Sequence, residues 1–267
     1  MNSIVRLSPG FATAIGQPQP MPPLRFSIVI PARDEERFLG PCLESIQVAA
    51  APYPNQVEVI VVLNRCSDRT EEIARAFGAR TIREDARNLA KIRNTGARLA
   101  VGLVLVTIDA DSRMSPDTLV AIDRALSSGT TVGGGTVIRP DRWSPGIMAT
   151  LWFFKLWVLI CRFSCGLFWC YRQDFEAIGG FDENLASGED IDFARRLKAY
   201  GKKVERRFST LRGAYIVTSC RKFDAFGDWF VIRNPLLIWR LLKGKNQSDA
   251  DVFYYDFERS ARHKSGR

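Results

Sequence analysis

Three short apolar runs punctuate the first half of the chain: Phe26-Ser-Ile-Val-Ile-Pro31, Val57-Glu-Val-Ile-Val-Val-Leu63 and Gly102-Leu-Val-Leu-Val-Thr-Ile-Asp109. Each is too short for a typical helix and rich in β-branched residues, so each predicts a buried strand. Helical patterns lie between them. Leu39, Leu43 and Ile46 recur at helical spacing, Asp68 to Phe77 opens with polar residues and stops before Gly78, and Leu89, Ile92 and Leu99 fit a third helix. Strand and helix in alternation predict an α/β fold, a mostly parallel sheet with helices on both faces. Ligands of such sheets sit at the carboxyl ends of the strands.

The texture changes after about Thr136. Residues Ile147 to Tyr171 are strongly apolar, with Trp152, Trp157 and Trp169, and are interrupted by Lys155 and Arg162. Central charges are costly in a spanning helix. The run therefore predicts an amphipathic helix, either packed in the core or lying in a membrane interface. A second stretch, Trp229 to Leu242, mixes apolar and cationic residues and leads into Lys243-Gly-Lys245, which suits an anionic bilayer surface. Residues 1–24, with Gln17-Pro-Gln-Pro-Met-Pro-Pro23, read as a flexible arm.

Length and composition narrow the class. At 267 residues and 46% hydrophobic, the chain is long enough for a full core without staples, and collagen, coiled coil and wholesale disorder are excluded. The net charge of +9 favours anionic partners, although nothing resembles a nucleic-acid-binding motif. Six cysteines form no CxxC pair, and the apolar core of a signal peptide is missing, so reduced thiols and a cytoplasmic location are expected. The one histidine, His263, lies in a polar tail, which disfavours zinc.

Candidate chemistry gathers on acids. Asp-x-Asp occurs three times, at Asp109-Ala110-Asp111, Asp190-Ile191-Asp192 and Asp249-Ala250-Asp251, so spacing alone decides nothing. Only Asp109 and Asp111 close an apolar strand, where hard carboxylate oxygens suit Mg²⁺ or Mn²⁺ bridging to phosphates. The competing role is a turn in which Asp111 and Ser112 cap the helix near Pro116. Ser187-Gly-Glu-Asp190 resembles a capping box. Asp190 there is either a first-turn acid favoured by the helix dipole or a general base kept ionised by it. Among cations, Arg33 follows the first strand as the aspartates follow the third, Arg93 lies inside a helical pattern, and Arg221-Lys222 follows the run Ala214 to Ser219; surface solvation is the competing role for each.

Taken in order, these segments resemble family-2 glycosyltransferases of the GT-A (nucleotide-diphospho-sugar transferase) fold. The resemblance runs through Ser27-Ile-Val-Ile-Pro-Ala-Arg-Asp-Glu-Glu36, Val61-Val-Leu-Asn-Arg-Cys-Ser-Asp-Arg-Thr70, Lys91-Ile-Arg-Asn-Thr-Gly-Ala97, Thr107-Ile-Asp-Ala-Asp111, Phe175-Glu-Ala-Ile-Gly-Gly-Phe-Asp-Glu183 and Gly188-Glu-Asp-Ile-Asp-Phe193. It covers about residues 25–222. It implies a nucleotide-binding half over about 25–112, an acceptor half over about 113–222, and a C-terminal amphipathic helix with a polar tail over 223–267.

The resemblance implies an inverting, metal-dependent hexosyltransferase that moves one sugar from a UDP- or GDP-linked donor to an acceptor hydroxyl or lipid phosphate. Pro31, Ala32, Arg33 and Glu35 would border the base and ribose, with Asn64 and Asp68 in the next loop. Arg93 would approach the nucleotide or diphosphate, with Asp109 and Ala110 alongside. Asp109 and Asp111 would hold Mg²⁺ or Mn²⁺. Asp190 would be the catalytic base, with Glu189 beside it and Arg221 among the catalytic groups. The acceptor is left open between a polyprenyl phosphate, a glycolipid and a soluble glycan, and the two aromatic-rich stretches with the +9 charge suit a peripheral location on the inner face of the cell membrane.

Three departures stand out. Asn64 replaces a common aspartate, Ser219 and Cys220 stand where some members carry a metal-binding histidine, and the Gln-x-x-Arg-Trp motif of processive synthases is missing. The last implies single transfers. A sugar nucleotidyltransferase would need a glycine-rich loop after the first strand, where Pro31-Ala-Arg-Asp-Glu35 stands, and a dinucleotide-dependent oxidoreductase would need the G-x-G-x-x-G fingerprint, which does not occur. A non-catalytic scaffold with a decayed sugar site is the remaining alternative.

Overall fold

A computed structural model describes residues 24–161, 164 and 166–243, so most of the proline-rich arm and the polar tail lie outside the described residues. In chain order the elements are β1 (Phe26–Ala32), α1 (Leu39–Ala50), β2 (Val57–Leu63), α2 (Thr70–Ala76), β3 (Arg80–Arg83), α3 (Leu89–Leu99), β4 (Val104–Ile108), β5 (Ser112–Met114) and α4 (Thr118–Ser127). There follow β6 (Thr131–Pro140), α5 (Pro145–Cys161), β7 (Leu167–Tyr171), α6 (Arg172–Ala177), α7 (Glu189–Lys203), β8 (Arg207–Thr218), α8 (Arg221–Phe226), α9 (Phe230–Arg233) and α10 (Pro235–Lys243).

The strands form one eight-stranded sheet in the order β3-β2-β1-β4-β7-β6-β8-β5. β1 pairs in parallel with both β2 and β4, whereas β7 runs antiparallel to its neighbours β4 and β6, and β5 runs antiparallel to β8. The remaining strands share one direction, so the sheet is mostly parallel, with helices on both faces. Two apolar layers flank it. One packs α1 and α4 through Leu39, Leu43, Leu119 and Ile122; the other packs α3 and α7 through Ile92, Phe193 and Leu197.

Close approaches set the geometry near the site. A Cβ at Gly96 of α3 would stand 2.4 Å from Val29 Cγ1 and 2.8 Å from Val62 Cγ2, so glycine lets the helix settle onto the sheet. A Cβ at Gly134 of β6 would stand 1.7 Å from the Ser209 carbonyl oxygen, so this crossing likewise needs glycine.

Three expectations are corrected. The apolar run 147–171 is not one helix: α5 ends at Cys161, and Leu167–Tyr171 is a largely buried strand inserted between β4 and β6. Periodicity cannot separate a buried strand from a buried helix, and Gly166 at φ +104° marks the break. The segment after 222 is not one amphipathic helix either. Gly227 at φ +93° ends α8, and Pro235, which lacks a backbone N–H, opens α10. Finally, the N-cap position of α7 falls one residue after Ser187. Gly188 occupies the N-cap at φ +68°, and a glycine has no side chain to cap with.

Candidate active site

The carboxyl ends of β1 and β4 lie side by side where the strand order reverses, the position at which α/β sheets bind ligands. The rim on the β1–β2 side is tightly laced. Asp34 Oδ1 accepts from Ser67 N–H at 2.7 Å, Asp68 Oδ2 accepts from Glu36 N–H at 2.9 Å, and Glu35 N–H donates to Thr70 Oγ1 at 2.8 Å. Burial alone would raise the pKa of Asp68, but hydrogen bonds from Thr70 and the Glu36 backbone hold it below the usual carboxylate value. Asp68 therefore joins two loops.

Asn64 is only 1% exposed, and its amide donates to the Glu84 and Ala86 carbonyls at 2.5 and 2.9 Å. It holds the chain between β3 and α3 in place. Ala32 is buried and Pro31 half-buried at the end of β1, with Arg33 half-buried beyond them.

Arg93 forms the floor. It is 6% exposed, donates through Nη1 to Glu189 Oε1 at 2.5 Å and through Nη2 to Asp109 Oδ1 at 2.8 Å, and lies over the Phe181 ring. It therefore ties the end of β4 to the start of α7. Asp190 follows Glu189, is half-buried, and accepts from the Ile191 N–H at 2.7 Å. Burial raises the pKa values of Glu189 and Asp190, opposed by the Arg93 charge. Asp192 points away and pairs with Arg196 at 2.6 Å, as helical geometry requires two positions on.

The opposite wall carries Arg221 in the first turn of α8. Its guanidinium grips Glu35 through both Nη atoms, at 2.8 and 2.5 Å, its Nε lies 3.2 Å from Asp111 Oδ2, and the group stacks over Phe38. The Ser219 N–H donates to the Asp111 carbonyl, which pins the end of β8 beside the acids. Burial pushes Glu35 up to about 7 against the pull of Arg221. Burial also raises Asp111, although Arg221 opposes the shift, and lowers Lys222, although Asp111 and Asp109 oppose it. Ala110 is buried between the two aspartates. Asp111 begins no helical cap: β5 follows at once, and α4 starts only at Thr118.

Sequence reasoning missed the role of Asn94. Its side chain pairs with the Phe181 backbone in both directions at 2.9 Å and so fixes the Gly179-Gly180-Phe181 turn below Arg93. Only its adjacency to Arg93 hinted at this.

Among the described residues no group of three or more His, Cys, Asp or Glu is arranged to hold a metal ion. Asp109 and Asp111 are two hard oxygen donors at one strand end. Two such carboxylates are donors of the kind that Mg²⁺ or Mn²⁺ would take.

Comparison with known proteins gives a consistent result. The model of glycosyl transferase family 2 matches residues 27–181, and that of the N-terminal domain of galactosyltransferase matches 149–218. The chain is 28% identical to glycosyltransferase AglE of Haloferax volcanii over 243 residues, 80% of this chain and 74% of the relative. It is 31% identical to the dodecaprenyl-phosphate galacturonate synthase of Rhizobium johnstonii over 108 residues, 38% of this chain and 32% of the relative. Its fold is similar to S. aureus TarS 1–349 in complex with UDP-GlcNAc, at TM-score 0.60 and 17% identity, covering 89% of this chain and 72% of the other. It is also similar to the mannosyltransferase PcManGT of Pyrobaculum calidifontis in complex with GDP-Man and Mn²⁺, at TM-score 0.60 and 18% identity, covering 94% and 77%.

Proposed function

The chain belongs to glycosyl transferase family 2, and we propose that it moves a single hexose from a nucleotide-sugar to one acceptor, with inversion at the anomeric carbon. It is a glycosyltransferase of GT-A fold; donor, metal, base and acceptor are the proposal. Residues 25–112 hold the donor and 113–222 the acceptor. Pro31, Ala32, Arg33 and Asp68 border the nucleotide, with Asn64 holding the adjacent loop.

One arrangement carries the proposal: Arg93 binds Asp109 with one nitrogen and Glu189, the neighbour of Asp190, with another. This bridge supports a single site shared by the strand-end acids and the candidate base. Asp190 takes the proton from an acceptor hydroxyl as its oxygen attacks the anomeric carbon and the nucleoside diphosphate leaves. The first-turn backbone N–H and the helix dipole favour its ionised form. Glu189, buried against Arg93, is a positioning residue. Asp109 and Asp111 would hold Mg²⁺ or Mn²⁺, which when bound offsets the charge of the leaving diphosphate. Arg221 and Lys222 add positive charge on the facing wall. The Mn²⁺ in the Pyrobaculum neighbour and the nucleotide-sugars in both neighbours support this reading.

The acceptor is lipid-linked and the enzyme peripheral, on the cytoplasmic face of a membrane. Met148 (52% exposed) and Trp152 (71%) of α5 face solvent, as do Ile232 of α9 and Leu236 (66%) of α10. Exposed Lys155, Arg233 and Arg240 accompany them. Large exposed apolar patches mark interaction surfaces, and neighbouring cations suit anionic headgroups. Among the described residues no helix is long and apolar enough to cross a membrane. The polyprenyl-phosphate substrate in the Rhizobium relative's name is consistent with such an acceptor.

The test is a screen of UDP- and GDP-sugars with Mn²⁺ by thermal shift, followed by turnover of the stabilising donor with lipid-phosphate and hydroxyl acceptors. Stabilisation by a nucleotide-sugar and release of nucleoside diphosphate are expected. No stabilisation by any donor would overturn the proposal in favour of a non-catalytic scaffold.

A further inference from the structure

Two arginines of the inner site hold its acids, Arg93 on Asp109 and Arg221 on Glu35, and Arg221 also lies where a metal would act. Arg221 Nε is 3.2 Å from Asp111 Oδ2, an ion-pair contact without a hydrogen bond, and both groups are largely shielded, with side-chain exposures of 19% and 12%. The guanidinium does not float: its two Nη atoms are forked on Glu35 and its face is stacked on Phe38. Glu35 and Phe38 leave the rim loop after β1, Asp111 follows β4, and Arg221 opens α8. The residue therefore bridges the donor rim, the strand-end acids and the C-terminal helices.

Building on the donor and metal assignment above, we propose that Arg221 is a built-in counter-ion that occupies Asp111 until the donor complex arrives and then turns its Nε edge to the diphosphate, held throughout by Glu35. A divalent ion on Asp111 would lie beside the guanidinium, and the two positive charges repel. A cation binding alone must break this pair, and the displaced guanidinium gains nothing in return. A cation arriving with a nucleoside diphosphate brings an anion that takes up the freed arginine. Metal and nucleotide binding are thereby coupled, and the coupling is reciprocal. Glu35 makes the device work: it fixes where the arginine can go and carries part of its charge, so Arg221 holds Asp111 less tightly than an unshared cation would.

The experiment measures Mn²⁺ binding to the full chain by titration, alone and with UDP or GDP present, for wild type, Arg221→Gln and Glu35→Gln. Removing the competing cation should tighten binding of Mn²⁺ alone by about tenfold and shrink the Mn²⁺–nucleotide coupling by a similar factor, within the usual range of such couplings. Glu35→Gln should act oppositely and weaken Mn²⁺ alone, because Arg221 then rests on Asp111 undivided. The two opposite signs separate this role from general damage to the site, and Glu35→Gln decides alone if Arg221→Gln does not fold. Unchanged Mn²⁺ affinity in either folded variant would overturn the proposal. Wild-type protein that binds neither Mn²⁺ nor a nucleoside diphosphate would instead overturn the donor assignment on which the proposal rests, and the proposal with it.

Discussion

Arg93 and Glu189, 96 positions apart in the chain, meet in a 2.5 Å charge-assisted hydrogen bond beneath the site. Their side chains are only 7% and 5% exposed, so the pair is shielded from solvent screening. Removing Glu189 leaves the buried guanidinium with Asp109 as a remaining partner. Glu189→Gln is therefore expected to cost up to about 3–5 kcal/mol of stability, the range for breaking a buried pair. It should also loosen Asp109, which shares the same guanidinium. Chemical denaturation and Mn²⁺ titration of the variant check both effects; a variant as stable as wild type would show that the pair is no strut.

Loss of either strand-end acid should disable metal use. Asp111→Ala is expected to lower kcat/KM by at least about 10³-fold, and chelation of wild-type enzyme should do the same, reversibly on adding Mn²⁺ or Mg²⁺. Turnover that survives chelation would rule out the metal-dependent route.

The proposed base predicts a selective loss. Asp190→Asn should keep donor binding while transfer to a hydroxyl acceptor falls by about 10²–10⁴-fold. The pH profile adds a sign. Burial raises the Asp190 pKa, and a base must be ionised, so activity should climb with pH through a value above the ordinary aspartate pKa of about 3.9. An acid limb at or below that value would point to a different base. A lipid phosphate, already mostly ionised near pH 7, should suffer less from the substitution.

Gly96 predicts a packing effect. A methyl group there meets Val29 and Val62 at 2.4 and 2.8 Å, so Gly96→Ala should destabilise by about 1–3 kcal/mol through overpacking. Thermal unfolding measures it, and a Tm equal to wild type would mean that α3 can lift off the sheet without cost.

For the membrane face, wild-type protein should float with anionic liposomes at low salt and less so at high salt, because part of the attraction is electrostatic. Replacing Trp152 and Leu236 together with serine should abolish flotation and leave soluble nucleotide binding intact. Protein that stays at the bottom of the gradient at low salt would refute the bilayer as partner.

Much of this was legible along the chain, for physical reasons. β1, β2 and β4 are nearly continuous apolar runs because they are buried on both faces, and their ends carried Arg33, Asn64, Asp109 and Asp111 in plain view. β3 escaped notice because its terminal residues Arg80 and Arg83 are exposed at the sheet edge, and β6 because Gly133-Gly134-Gly135 looks like a turn. β7 was hidden inside an apolar run that also holds α5. Within the site, residue types at strand ends and a helix start could be read directly. The Arg93–Glu189 and Asn94–Phe181 contacts could not, since each joins segments brought together only by the sheet and the helices upon it.

The lacing of the loops after β1 and β2, through Asp34, Asp68 and Thr70, has a mechanical consequence. It makes the donor side of the cleft a fixed jaw, already shaped before any ligand meets it. The facing jaw is α8, only six residues long and ended by a glycine, and α9 and α10, which expose Ile232 and Leu236, follow it in the chain. On the proposed function, catching a soluble donor falls to the first jaw and resting on a bilayer to the second, and the Arg221–Glu35 pair joins the two.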